Sequence, residues 1–132
     1  MKLSTKCPSI YSKLHEKFKV EWEKGLLITI GDTVYCNDPN IFNSRPDLAV
    51  HEKIHELQQR AMGSDEWWNK YLEDDAFRFK EELAAYQGQA YDIKQRITDR
   101  NRLFPFINSL AKDFAEMYAL KLTQTEAYKL LK

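Results

Sequence analysis

The chain has 132 residues, 43% of them apolar and 30% charged, with 20 basic residues balanced against 20 acidic ones. That length fits one domain, residues 1–132, with enough chain to bury a core without crosslinks. The neutral balance, with basic residues scattered among acidic ones, excludes a polyanion-binding surface of the kind that holds nucleic acid. No apolar run approaches a membrane span, and "MKLSTKCPSIYSKLHEKF" lacks the apolar middle of a signal peptide, so a cytoplasmic protein is expected.

In chain order, residues 9–17 read as a short helix with Ser9 at its N-cap. "FKVEWEKGLLITIGDTVYCND" reads as strands: Val, Ile, Thr, Tyr and Trp dominate, and "GD" between "LLITI" and "TVYC" marks a hairpin, with "FKVEW" as a third strand. Cys7 and Cys36 are far apart, without C-x-x-C spacing, and are expected as free thiols. "NDPNIFNSRPD" is a loop by its Asn, Asp, Pro and Ser content. A helix follows over 46–62, with Pro46 in its first turn and Gly63 ending it. Ser64 opens a further short helix. A long helix covers 74–99, a break near Pro105 precedes another to about residue 120, and Thr123 with Glu126 forms a capping box for the last. Strands first and helices after give an α+β fold with a small antiparallel sheet.

The segment "AVHEKIHELQQ", residues 49–59, carries the chemistry. Residues four apart on a helix share one face, so His51 and His55 can hold one metal ion between them. Glu52 lies about 100° around from His51, within reach of a water at the metal without being a ligand. That is the H-E-x-x-H arrangement, in which two imidazoles bind zinc and the glutamate takes the water's proton. A chain of this length matches it by chance well under once in about a hundred cases. Val50, Ile54, Leu57 and Ala61 form an apolar stripe expected to face the core, with Lys53, Glu56 and Arg60 toward solvent. His15, the third histidine, has no ligand-like neighbour.

A catalytic zinc takes three protein ligands and keeps one open position. No third histidine follows at metzincin spacing, which leaves "FKEELAAYQ" with Glu81 and Glu82. Ala76, Phe79, Leu83, Tyr86, Ala90, Ile93 and Ile97 mark the inward face of that helix. Glu82 falls on its margin, whereas Glu81 points nearly opposite as a solvated charge. An inward carboxylate needs a partner, and either a metal or a buried Arg or Lys supplies one.

Together, "HEKIHELQQ" and "EELAAY" resemble the gluzincin metallopeptidases, and the small size resembles their minimal members. The wider pattern over residues 26–95, with "ITIGDTVYCND", "WWNKYL" and "FKEELAAYQGQAY", is similar to small metallopeptidases of tailed bacteriophages. The resemblance implies a zincin-like fold, Zn2+ held by His51, His55 and Glu82, and Glu52 as catalytic base. It also implies a strand within 26–36 along the cleft, able to pair with an extended peptide. One departure stands out: many gluzincins carry an acid shortly after the ligand glutamate, and this chain has "ELAAY". The acceptors for the histidines' other ring nitrogens therefore fall to Asp74, Asp75 or a backbone carbonyl.

Of the supporting residues, Gln58 and Gln59 either line the cleft or tie the helix to the sheet. Tyr86 is either an oxyanion donor or a core tyrosine, and Trp67 and Trp68 either shape a substrate pocket or divide between core and surface. The function expected is a zinc metallopeptidase acting on a peptide or protein, with one dedicated partner as the substrate its size suggests. Two alternatives remain at this point: a zinc amidase acting on cell-wall peptide, and a binding or assembly module, for instance in a phage particle, without turnover.

Overall fold

A computed structural model describes residues 1–132, with seven α-helices and one three-stranded sheet, a mixed α+β architecture. In chain order these are β1 (Lys2–Ser4), α1 (Tyr11–Phe18), β2 (Leu27–Ile30), β3 (Thr33–Cys36), α2 (Pro39–Asn43), α3 (Pro46–Met62), α4 (Ser64–Glu73), α5 (Asp75–Arg96), α6 (Arg100–Glu116) and α7 (Gln124–Leu131). No helix is long and apolar enough to cross a membrane.

The hairpin forms where "GD" marks it: β2 and β3 pair antiparallel, and Gly31 takes φ +59° in the two-residue turn. The third strand differs from the expectation. It is the N-terminal segment, Lys2–Ser4, which pairs parallel to β3 and makes the sheet mixed, in the order β1-β3-β2. "FKVEW" instead ends α1 at Phe18 and enters a single 3-10 turn at Trp22–Lys24 that closes with Gly25 at φ +80°. Trp22 is buried there with Leu14 and Ile28, so its apolar character serves a core beside the sheet.

Several boundaries also move. The loop before α3 contains α2, capped by Asp38, whose side chain accepts from the Asn40 N–H. Ser9 and Ser64 cap nothing: Ile10 and Gly63 hold those positions. Pro105 lies inside α6. The chain breaks earlier, at Ile97 in extended backbone, and Asp99 caps α6 by accepting from the Asn101 N–H at 2.9 Å. One lost backbone donor is outweighed by α6 burying Ile107, Leu110, Ala111 and Phe114 against Tyr86, Ala90 and Ile93 of α5 and Ala127 and Leu131 of α7. The Thr123–Glu126 capping box forms in full at the start of α7. Both cysteines are free, Cys7 exposed and Cys36 buried.

The burial of α3 reverses the amphipathic reading. Leu57 is 49% exposed and Ala61 is exposed, while Asp47, His51, Glu52, His55, Glu56 and Gln59 are buried. Val50 and Ile54 have a more local task. They pack over Gly88 of α5, where a Cβ would collide with Ile54 Cδ1, so glycine lets the two helices approach closely. Glu56, expected in solvent, is buried beneath the side chains of Lys53 and Arg60.

Gln59 fixes α3 to the sheet. Its amide donates to the Thr29 carbonyl at 2.7 Å and accepts from the Gly31 N–H at 2.8 Å, as a neighbouring strand would. Gln59→Ala strands the Gly31 donor and is expected to destabilise the protein by about 2 kcal/mol in urea unfolding; an unchanged midpoint would contradict this role.

Candidate metal centre

The buried residues of α3 meet α5 at one point. His51 Nε2 and His55 Nε2 lie 3.1 Å apart. Glu82 Oε1 lies 3.2 Å from the first and 3.3 Å from the second. Three ligands set tetrahedrally around an ion at roughly 2.0–2.1 Å sit roughly 3.3–3.4 Å from one another, so the triangle has close to the dimensions of one face of such a coordination shell. His51, His55 and Glu82 thus form a buried group that can hold a metal ion.

The hydrogen bonds behind the imidazoles fix what faces that point. His51 Nδ1 sits 2.8 Å from Gln89 Oε1, and the Gln89 amide donates to Asp47 Oδ2 at 2.8 Å. A carboxylate only accepts, so the Gln89 oxygen must face the histidine and His51 Nδ1 must carry the proton. On the other side, His55 Nδ1 sits 2.9 Å from Gln58 Oε1, while the Gln58 amide donates to the Glu81 carbonyl at 3.0 Å. The same logic puts a proton on His55 Nδ1. In their neutral forms both histidines therefore present a bare Nε2 lone pair. Glu82 Oε1 is buried with no hydrogen-bond partner. Three acceptors converge with no donor between them, an arrangement suited to a cation.

These glutamine clamps replace the expected acceptors. Asp74 instead caps α5, accepting from the Phe77 N–H at 3.0 Å, and Asp75 pairs with Arg78. Asp47 is anchored by Arg45 through two bonds, at 2.8 and 2.6 Å, so a chain runs Arg45–Asp47–Gln89–His51. Burial would raise the Asp47 pKa, but the bonds from Arg45 and Gln89 prevail and hold it below the usual carboxylate value. Asp47 stands four residues before His51, and Gln89 seven after Glu82, spacings that keep each on the same helix face as its partner.

Glu52 stands beside the triangle. Its Oε1 accepts from the Thr29 hydroxyl at 2.9 Å, and its Oε2 lies 3.8 Å from His51 Nε2. Glu81, expected in solvent, is half-buried and accepts from Trp67 Nε1 at 3.0 Å. Trp67 is buried with its ring centroid 5.3 Å from that of His55, and Trp68 is half-buried and donates to the Thr29 carbonyl at 3.1 Å. The Tyr86 hydroxyl is spent on the Tyr118 hydroxyl at 2.6 Å, which makes Tyr86 a core tyrosine with its polar end satisfied. His15 is exposed, its Nδ1 2.8 Å from the Val20 carbonyl.

A cavity of about 640 Å³ reaches the triangle. His51, Glu52, His55 and Glu82 contribute to its wall, as do Leu26, Leu27 and Val20. The edge strand β2 borders it, but Gln59 and Trp68 occupy the Thr29 carbonyl, and Gln59 also occupies the Gly31 amide.

No protein-family model, curated protein or solved structure matches this chain. The site stands on its own geometry.

Electrostatics make the need for a cation testable. Burial by itself favours neutral His55, but the adjoining Glu82 carboxylate outweighs it, with help from Glu52, and raises the imidazole pKa from 6.5 to about 9. Burial likewise opposes ionisation of Glu82, and the His55 and His51 imidazoles override it, bringing the carboxyl far below its usual 4.5. Without metal, a proton on His55 thus plays the cation. A raised folded-state pKa stabilises fully below the unfolded value and loses that contribution as pH rises through the folded one. Metal-free protein should therefore lose stability from pH 6.5 toward 9, by on the order of 3 kcal/mol, while metal-loaded protein does not. Metal affinity should climb about tenfold per pH unit over the same window as the proton is displaced. Thermal melts with chelator and with added metal check this; a flat metal-free profile would contradict it.

Proposed function

We propose that the chain is a zinc-dependent metallopeptidase, with His51, His55 and Glu82 as metal ligands and Glu52 as general base. The observation that supports this most is the convergence of three donorless acceptors beside a fourth group, Glu52, that is close to them without being a corner of the triangle. Two imidazoles and one carboxylate favour zinc over calcium or magnesium, which take oxygen ligands.

When bound, zinc supplies Lewis acidity toward a water and the scissile carbonyl. The protein's own groups do the rest. Thr29 holds one oxygen of Glu52 and so leaves the other on the side of the triangle. From there Glu52 takes the proton of the attacking water and returns it to the departing amine. Gln89 and Gln58 hold both imidazoles in the tautomer that offers Nε2. Leu26, Leu27 and Val20 give the substrate side of the cavity an apolar wall suited to an apolar peptide side chain.

The test is cleavage of a proteome-derived peptide library, read by mass spectrometry. Wild type with zinc should cut it and a chelator should stop it. Glu52→Gln should keep the metal and lose about 10²–10⁴-fold in rate, since an amide takes no proton. Glu82→Ala should weaken metal binding, and Glu81→Gln should leave metal and activity in place. A zinc-loaded wild type that cuts nothing, or a Glu52→Gln variant as active as wild type, would overturn the peptidase reading and favour a binding module.

A further inference from the structure

The two oxygens of Glu82 have different surroundings. Oε1 faces both imidazoles and receives no hydrogen bond. Oε2 accepts from the Tyr71 hydroxyl at 2.5 Å. Tyr71 has no freedom to release it. Its ring is buried, stacked on Trp67 at 4.9 Å between centroids and 25° between planes, with Phe18 edge-on at 6.1 Å. Its backbone carbonyl accepts from Nη1 of Arg78 at 2.6 Å, a fully buried guanidinium that also donates to the Tyr118 carbonyl at 2.8 Å. Trp67 is in turn tied to Glu81, the neighbour of Glu82 on α5.

A carboxylate can bind a metal through one oxygen or through both. The second mode uses a lone pair of the second oxygen and fills one more coordination position. A short hydrogen bond to that oxygen, from a donor that cannot move, competes directly with it. We infer that Tyr71 is a positioning residue that keeps Glu82 a one-oxygen ligand and so holds the coordination number of the centre low. This rests on the reading of His51, His55 and Glu82 as metal ligands. Removing the hydroxyl leaves Oε2 buried without its donor and its lone pair free for a metal held by Oε1. Tyr71→Phe should therefore retain the metal and gain Oε2 as one more ligand, which raises its coordination number.

Cobalt(II) reports this directly, because its visible absorption is strong in four-coordinate sites and several-fold weaker as coordination number rises. Wild-type protein and Tyr71→Phe are each loaded with one equivalent of cobalt and their spectra compared, with circular dichroism as a check on folding. Both should bind one ion, and the visible band of Tyr71→Phe should be several-fold weaker. A purely structural role would change melting temperature and leave the band alone, so matching spectra from folded, loaded proteins would overturn the inference. If wild type itself takes up no cobalt or zinc, the metal-centre reading falls and this inference with it, an outcome distinct from matching spectra. Should Tyr71→Phe not fold, a crystal structure of zinc-loaded wild type decides: contact through Oε1 alone supports the inference, and contact through both oxygens overturns it.

Discussion

Three electron pairs aimed at one buried point repel one another, and no hydrogen-bond donor lies between them. That is the constraint on which the middle of this protein depends. His51, His55 and Glu82 are all at most 6% exposed, so bulk water does little to relieve it. A cation relieves it directly, either a proton on His55 or a metal ion that meets all three groups together. A proton satisfies one pair of contacts at a time, whereas a metal ion satisfies three.

Holding such an arrangement requires rigid support on every side, and most of the polar side chains of α3 serve that end. Gln59 acts as a substitute strand partner for β2, Gln58 reaches across to the α5 backbone, and Asp47 braces Gln89. Gly88 lets Val50 and Ile54 settle against α5, which brings Glu82 to the histidines. The larger apolar core lies elsewhere, where α5, α6 and α7 meet. The protein therefore has a hydrophobic end that stabilises the fold and a polar end that is buried for the sake of its geometry. The proposed chemistry uses the second, and Arg78 and Tyr71 belong to the seam between them.

The sequence revealed the features governed by short-range spacing. His51 and His55 at i and i+4, the hairpin at Gly31, the extent of α3, and the capping box at Thr123 are all local. The helix-face argument placed Glu82 inward, where it is buried, because α5 is regular and its inward stripe is long, but it put Glu81 in solvent, whereas Glu81 is half-buried against Trp67. What escaped was non-local or contrary to hydropathy. The apolar residues of α3 suggested its core side, but polar residues took that side because most of them find a partner on α5 or β2. The pairing of Lys2–Ser4 with β3 joins the chain's start to a segment some thirty residues on, and no local pattern announces it. Tyr71 lies one turn after Trp67 and looks like any core aromatic until its hydroxyl is seen on Glu82.

Metal content tests the central claim most directly. Protein purified without added metal, and again after loading at pH 8 and removal of excess, is measured by elemental analysis alongside protein concentration. The account predicts one transition-metal ion per chain, retained through dialysis by wild type and lost by His51→Ala. A loaded, folded wild-type protein that retains no metal, or retains as much after His51→Ala, would contradict it.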